Sequence, residues 1–209
     1  METPISVITV EREYGSRGGE FAHELAATLG WRLLDAELVT GAAKAAGVDP
    51  EMARQFDERL DPWYYRYGKV FWQESVYPMT GLSEAQVFDS ERMLSLMRQQ
   101  IVQAASEGHC VLVGRGSACA LGQQPGCFHV FVYATARAKR RWFAQTFPKQ
   151  AEQADQLLAA FDKRRAAVIR QFYQQDWCAR GLYHLLLNSE MGMQAMIAAT
   201  RGAAGLQDC

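Results

Sequence analysis

The stretch from Val7 to Ala22 constrains the fold of this chain more than any other. A β-branched apolar run, Val7 to Val10, leads into a glycine-rich segment, Gly15 to Gly19. The residues that follow have apolar side chains three and four positions apart, which predicts an amphipathic helix. Gly30 is placed to close that helix as a left-handed cap. The apolar face comprises Phe21, Ala22, Leu25, Ala26 and Leu29.

A strand, a glycine loop and a helix N-terminus in this order can form an anion site. Successive backbone N–H groups point into such a loop, and the helix dipole adds partial positive charge. The first hypothesis is therefore a phosphate-binding loop at the front of an α/β domain. The alternative is an ordinary strand-to-helix turn that needs glycine only for its backbone angles.

Composition narrows the class of protein. A chain of 209 residues with 49% hydrophobic and 22% charged residues is typical of one globular domain with a sizeable core. The formal net charge of −1 argues against a general nucleic-acid binder, so any basic site must be local.

Cysteine usage and the N-terminus predict a cytoplasmic protein without a membrane partner. The five cysteines are odd in number and form no C-x-x-C pair, which favours reduced thiols over disulfides or a zinc site. The first residues lack the basic region of a signal peptide, and no apolar run is long enough for a membrane helix. The oligomeric state stays open. The cysteines are Cys110, Cys119, Cys127, Cys178 and Cys209.

Strand-like and helix-like segments alternate along the chain. After the first strand, we expect strands at 31–35, 109–113, 128–133 and 183–188. Helices are expected at about 36–46, from 49, and at 83–107, where Ser83 and Gln86 form a capping box. Further helices are expected from Thr135, at 151–175 and at 190–200. Five strands alternating with helices predict a three-layer α/β domain, with a mainly parallel sheet covered on both faces.

The segment from 61 to 80 breaks this alternation because aromatic residues crowd an irregular stretch. One interpretation is a packed excursion that covers a helix face. The other is an aromatic wall of a substrate pocket, since aromatic rings stack on nucleobases. The aromatic residues are Trp63, Tyr64, Tyr65, Tyr67, Phe71, Trp72 and Tyr77.

Polar groups follow three of the predicted strands. They are the glycine loop after the first, Asp35 after the second, and Arg115 after the 109–113 strand. In parallel sheets ligands collect at the carboxyl ends of the strands. Phosphate-type chemistry at three of these ends predicts a nucleotide or phosphometabolite pocket.

Several motifs together resemble the cytidylate kinase-like family, a branch of the P-loop nucleoside monophosphate kinases. The resemblance covers nearly the whole chain and is weakest between Asp49 and Ser83. It implies a single domain with a P-loop kinase fold from 1 to 209. Within this domain, an acceptor-binding excursion is expected at about 49–83 and a basic lid-like region at about 135–165. The motifs are Arg12-Glu13-Tyr14-Gly15-Ser16, Leu34-Asp35, Val113-Gly114-Arg115, Asp162-Lys163-Arg164-Arg165, Asp176-Trp177 and Leu185-Leu186-Leu187-Asn188-Ser189.

The chain departs from the phosphate-binding motifs at two places. A Walker A loop ends in a lysine followed by a serine or threonine. In this chain Gly18 occupies the position of the lysine, and Glu20 lies near the position of the hydroxyl residue. The family usually has a G-S-G-G-R string; this chain has G-S-R-G-G, as though the arginine had moved to Arg17. Cytidylate kinases proper also carry an aspartate directly after the arginine that matches Arg115, where this chain has Gly116. Both changes concern catalysis rather than the fold.

The resemblance implies roles for the charged residues around these motifs. Arg17 and the loop would hold the donor phosphates, with Arg12 in reserve. Arg115 and Arg165 would bind the acceptor phosphate, and Asp35 would orient the acceptor or hold Mg²⁺ through water. The loop residues are Tyr14, Gly15, Ser16, Gly18, Gly19 and Glu20.

Two groups of charges keep a purely structural alternative. Arg137, Arg140 and Arg141 would close over ATP as a lid, but their spacing also fits a solvated basic helix face. Asp162 is expected with Arg165 among the substrate-binding residues. Alternatively, Asp162, three residues before Arg165, could be the partner that a half-buried arginine needs.

The expected function is ATP- and Mg²⁺-dependent phosphorylation of a nucleoside monophosphate, with CMP the first candidate. Catalysis would rest on positioning and charge stabilisation, with Arg17, Arg115, Arg137 and Arg141 around the transferred phosphoryl group. A second hypothesis is a nucleotide-binding regulatory protein that keeps the pocket without the chemistry. A third is a kinase for a non-nucleotide small molecule, because no base-reading residue can be named.

Overall fold

The computed structural model describes residues 3–35 and 84–206, without the side chains of 84–93. The chain divides into two compact units, one formed by Met1–Asp35 with Ile101–Cys209 and the other by Ala36–Gln100. The first unit contains the sheet. The helices expected at 36–46 and from 49, the aromatic stretch at 61–80 and the Ser83 capping box lie outside the described residues.

The described residues form the predicted five-stranded sheet, and all its strands are parallel. The strand order is β2-β3-β1-β4-β5, so the first strand lies at the centre, with the third and fourth strands on either side. The strands are β1 (Val7–Arg12), β2 (Arg32–Leu34), β3 (Cys110–Val113), β4 (Cys127–Tyr133) and β5 (Leu185–Asn188).

The helices begin and end close to where the sequence places them. Gly30, with φ 66°, is the left-handed cap of the first helix, and Thr135 caps the fourth by accepting from the Ala138 N–H. The described helices are α1 (Gly18–Leu29), α2 (Glu84–Glu107), α3 (Ser117–Leu121), α4 (Ala136–Thr146), α5 (Ala154–Tyr173) and α6 (Met193–Ala203).

Three predicted boundaries are wrong, each for a local reason. The 151–175 helix is shorter, because Pro148–Gln153 forms a 3-10 turn and Gln174, at φ 57°, ends the helix. The 183–188 strand begins only at Leu185, because a 3-10 turn at Arg180–Leu182 precedes it and the Tyr183 N–H donates to the Arg180 carbonyl at 3.2 Å. The last helix begins at Met193, after a 3-10 turn at Ser189–Met191.

Helices cover both faces of the sheet, as predicted. On one face α1 and α6 bury Phe21, Leu25 and Met196 against alternate residues of the central strands, such as Val10 and Val130. This alternation follows from the pleat, which sends successive side chains to opposite faces. On the other face the buried cluster is Ala118, Phe131, Ile169, Trp177 and Tyr183.

Two further observations concern the cysteines and the hydrophobicity of the helices. Cys110, Cys119, Cys127 and Cys178 are free thiols. No helix within the described ranges is both long enough and apolar enough to cross a membrane.

Gly18, the first residue of α1, allows the helix to approach the strand that precedes it. A Cβ atom at this position would lie 2.4 Å from the Cβ of Arg12 and 3.2 Å from the Cβ of Val132. We expect Gly18→Ala to lower the free energy of unfolding by about 1–3 kcal/mol, the usual cost of overpacking. Urea titration measures this change.

Gly202 in α6 is the matched control, because a Cβ there meets nothing within 4 Å. Gly202→Ala should leave stability unchanged or raise it by up to about 1 kcal/mol through helix propensity. Equal effects of the two substitutions would show that the close approach at Gly18 has no energetic weight.

Candidate functional site

The side chain of Ser16 makes two hydrogen bonds within the loop between β1 and α1. The Ser16 hydroxyl donates to the Glu13 carbonyl at 2.8 Å and accepts from the Gly18 N–H at 3.3 Å. Gly15 and Arg17 have positive φ angles of 80° and 62°. Among the described residues, no acceptor binds the N–H groups of Gly15, Arg17, Gly19 or Glu20. These donors and the start of α1 make the arrangement that binds anions.

Arg17, predicted to grip the donor phosphates, is paired with Glu20. Its Nε and Nη2 atoms both donate to Glu20 Oε2, at 3.0 and 2.7 Å. The hydrogen bond to Glu20 raises the pKa of Arg17. The side chains are 53% and 40% exposed, so the pair contributes little to stability. Glu20 therefore neutralises the one cation that the loop itself carries.

A second cation reaches the loop from α4, and sequence reasoning did not assign it a role. Lys139 Nζ lies 3.0 Å from Glu13 Oε2 and 3.1 Å from Asp162 Oδ2. Its side chain is only 15% exposed. A signal was available, because Lys139 lies three and four residues before Trp142 and Phe143. On a helix this spacing places it on the apolar face.

Asp162 connects α5 with the loop backbone. Its Oδ1 atom accepts the Tyr14 N–H at 2.7 Å, while its Oδ2 atom binds Lys139. Burial raises the pKa of Asp162, although the Tyr14 N–H and the nearby positive charges of Lys139 and Arg165 oppose this shift. Asp162 was predicted to bind the substrate, with a structural pairing to Arg165 as the alternative. The structure shows that it links the loop with α4, and its role in substrate binding stays a prediction.

Aromatic packing completes the contact between the loop and the two helices. The Tyr14 ring lies 4.3 Å from the Phe161 ring and 5.6 Å from the Trp142 ring, centroid to centroid. The Arg165 guanidinium is 5.7 Å from the Tyr14 centroid, and its Nη1 donates to the Arg12 carbonyl at 2.7 Å. Arg165 therefore contacts the backbone at the end of β1.

The second part of the site lies at the end of β3, beside β1. Arg115 Nη2 lies 3.1 Å from Asp35 Oδ1, so the structure brings together two residues predicted at separate strand ends. The Arg115 side chain is 3% exposed and that of Asp35 is 29% exposed. Gly114, Arg115 and Gly116 have φ angles of 66°, 59° and 68°, three successive left-handed residues.

Neighbouring side chains explain why the residues on both sides of Arg115 are glycines. A Cβ on Gly114 would lie in the position of the Arg12 guanidinium, whose residue is only 6% exposed. A Cβ on Gly116 would lie 2.5 Å from the Tyr173 ring. The aspartate that cytidylate kinases proper carry after the matching arginine would therefore require Tyr173 and Ile169 to shift.

The three arginines predicted to form a lid lie on the exposed side of α4, away from Lys139. Arg140 pairs with the exposed Asp155, and this contact raises its pKa. Arg137 and Arg141 have no hydrogen bond or ion pair with any described residue. Their expected role in closing over ATP stays a prediction.

The carboxylates close to the loop are each paired with a cation. Glu20 pairs with Arg17, Glu13 and Asp162 share Lys139, and Asp35 pairs with Arg115. Within residues 3–35 and 84–206 no group of three or more histidine, cysteine or acidic side chains could hold a metal ion.

Comparison with known proteins gives the family. Residues 7–191 match the model of the cytidylate kinase-like family. The chain belongs to this family. No curated protein matches the sequence at a significant level.

Solved structures support the same fold at low sequence identity. An uncharacterized protein from Eubacterium ventriosum superposes with a TM-score of 0.63 at 16% identity, covering 93% of this chain and 97% of its own. A shikimate kinase from Bacteroides thetaiotaomicron gives 0.53 at 14% identity, with 96% and 98% covered. A gluconokinase from Sinorhizobium meliloti gives 0.51 at 12%, with 98% and 94% covered. These neighbours confirm the predicted P-loop kinase fold.

The contacts of Arg165 predict a structural contribution beside any ligand role. Arg165→Ala removes a charged hydrogen bond to the Arg12 carbonyl and the contact with Tyr14. We expect the free energy of unfolding of the ligand-free protein to fall by about 1–3 kcal/mol, measured in urea.

Lys163 provides the control, since it is an exposed cation on the same helix. Lys163→Ala should change stability by less than about 0.5 kcal/mol. If Arg165→Ala is equally silent without ligand, Arg165 is held for the ligand alone.

Proposed function

We propose that this protein is an ATP-dependent phosphotransferase whose acceptor is a nucleoside monophosphate, with CMP the first candidate. The observation that carries the proposal is the position of two anion-binding groups at adjoining strand ends. The loop with free N–H groups follows β1, and Arg115 follows β3, its neighbour in the sheet. Membership of the cytidylate kinase-like family supports phosphoryl transfer as the chemistry.

The residues suggest how the work is divided. The loop N–H groups would take the donor phosphates, with Arg17 exchanging Glu20 for a phosphate oxygen. Arg115, buried and aligned by Asp35, would take the phosphate of the acceptor. Two phosphate groups held at adjoining strand ends gain the rate advantage of proximity and orientation. Positive charge around them stabilises the transferred group.

ATP and Mg²⁺ are the cofactors that this chemistry requires, and the residues present fit the nucleotide better than the metal. The loop supplies backbone donors for a triphosphate. Glu13, Glu20 and Asp35 are carboxylates close to the two anion sites, and each is already paired with a cation. Mg²⁺ bound to ATP would supply charge neutralisation between the phosphates, and these carboxylates would hold it through water.

A kinase for a small non-nucleotide acceptor is the second candidate. Two structural neighbours that cover nearly the whole chain are named shikimate kinase and gluconokinase. Arg115 and Asp35 would suit a carboxylate or phosphate on such an acceptor equally well, because arginine binds both groups through its planar fork. The regulatory alternative requires that ATP binds without turnover.

One experiment separates these possibilities. Purified protein is incubated with Mg²⁺-ATP and, in turn, each nucleoside monophosphate, shikimate and gluconate, and ADP formation is followed. We expect ADP to form with a pyrimidine nucleoside monophosphate. Turnover only with shikimate or gluconate supports the second candidate. ATP binding by calorimetry without turnover with any acceptor supports the regulatory alternative.

Arg115→Ala tests the acceptor site. We expect acceptor affinity in calorimetry to fall by about 1.5–3 kcal/mol, the usual scale of a charge-assisted hydrogen bond, with ATP affinity unchanged. Arg32→Ala is the control, because Arg32 is an exposed cation on neighbouring β2 and pairs with Glu107 at 2.9 Å. Acceptor affinity equal in all three proteins would make Arg115 a structural residue.

A further inference from the structure

The proposed reaction leaves one question, which is what replaces the lysine of the phosphate loop. The loop has Gly18 in that place, and its own cation, Arg17, is half-exposed and paired with Glu20. Arg17 can offer its charge to the terminal phosphates of ATP only by leaving Glu20, and the other loop donors are uncharged backbone N–H groups. A cation from another element would therefore complete the site.

Lys139 is placed to be that cation. It comes from α4, the helix that packs on the loop, and a Cβ added to Gly15 would lie 3.4 Å from its Cβ. Its ammonium group shares the Asp162 carboxylate with the Tyr14 N–H of the loop. Lysine has a long flexible stem, so the ammonium can leave these carboxylates for a nearby phosphate without movement of the helix.

The charges around Lys139 fit a cation held in reserve. Burial acts against its charge, but Asp162 and Glu13 outweigh burial, and the pKa of Lys139 is raised, so it is protonated at neutral pH. Two carboxylates face the Lys139 ammonium, and the Arg165 guanidinium adds a second positive charge near Asp162. A bound phosphate would compete with those carboxylates for the ammonium and would be repelled by them.

We propose that Lys139 takes the role of the missing loop lysine and binds the terminal phosphates of ATP, while Glu13 and Asp162 hold it when no nucleotide is bound. This inference rests on the proposed function, because it concerns the donor site of the same reaction. It makes phosphate binding an exchange of partners. A stronger interaction of Glu13 and Asp162 with Lys139 then means a lower affinity for ATP.

The competing explanation is that Lys139, Glu13 and Asp162 form only a structural link between α4 and the loop. The two explanations differ in the sign of one effect. If Lys139 serves the phosphate, neutralising Asp162 releases the lysine and raises affinity for ATP. If the three residues are only a link, neutralising Asp162 loosens the loop and lowers affinity. Asp162→Asn is suited to this test because the amide oxygen can still accept the Tyr14 N–H.

The experiment measures ATP binding by calorimetry in EDTA, so that no metal contributes, with folding checked by circular dichroism. Lys139→Met should weaken ATP binding at least tenfold, about 1.4 kcal/mol. Lys139→Gln removes the charge but can still hydrogen-bond both carboxylates, and should weaken binding similarly; it decides the matter if Lys139→Met does not fold. Lys163→Met, which removes an exposed cation next to Asp162, should stay within twofold of the parent.

Asp162→Asn should strengthen ATP binding at least threefold, and most of this gain should vanish when Lys139→Gln is also present, since the two residues act as a pair. ATP binding by Lys139→Gln that equals the parent overturns the inference and leaves the proposed function standing. Weaker binding by Asp162→Asn, or the same gain with and without Lys139, also overturns it. A parent protein that does not bind ATP overturns the proposed function as well.

Discussion

The carboxylate of Asp162 holds the glycine loop and its two covering helices in one arrangement. One oxygen accepts the Tyr14 N–H and the other binds Lys139, so a single side chain joins the loop, α4 and α5. A carboxylate in a half-buried place is costly without partners, and its raised pKa reports that cost. Removing either partner would therefore weaken both the helix packing and the shape of the loop. The shape of the proposed anion site therefore depends on the carboxylate of Asp162, which is itself negatively charged.

The other half of the site depends on backbone strain. Arg115 has a positive φ between two glycines that also do, and a left-handed arginine costs of order 1 kcal/mol. The tight turn is kept because Arg12 fills the space beside Gly114 and Tyr173 the space beside Gly116. The turn directs a nearly buried guanidinium toward Asp35 at the carboxyl edge of the sheet. Strain and packing together fix the direction of this side chain.

The sequence predicted the sheet and the strand ends because parallel strands impose their own geometry. Asp35 and Arg115 meet because β2 and β3 are neighbours. The alternation of strands and helices predicts that the strands are parallel, but it does not predict this strand order. The contact of Tyr14 with Asp162 spans 148 positions, and no periodicity reveals a pairing of that range. The sequence analysis assigned no role to Lys139, because it placed the ligand-binding side of this helix at the neighbouring arginines.

Boundaries failed where short-range bonding replaced regular structure. The last helix was expected from Glu190, but the Asn188 side chain accepts the Glu190 N–H and stabilises a separate 3-10 turn. Gly192, at φ 93°, then redirects the chain before α6 begins. The side-chain bond of Asn188 and the backbone conformation of Gly192 together separate the two pieces.

The contact between Gly116 and Tyr173 has a consequence for the order in which this protein could change. An aspartate at 116 would meet the ring of Tyr173 and the side chain of Ile169. Replacing Tyr173 with a smaller residue first would make room for the aspartate but leave a cavity. Introducing the aspartate first would overpack the contact with Tyr173. Residues 116 and 173 are therefore coupled, so the form of this turn depends on a residue of α5.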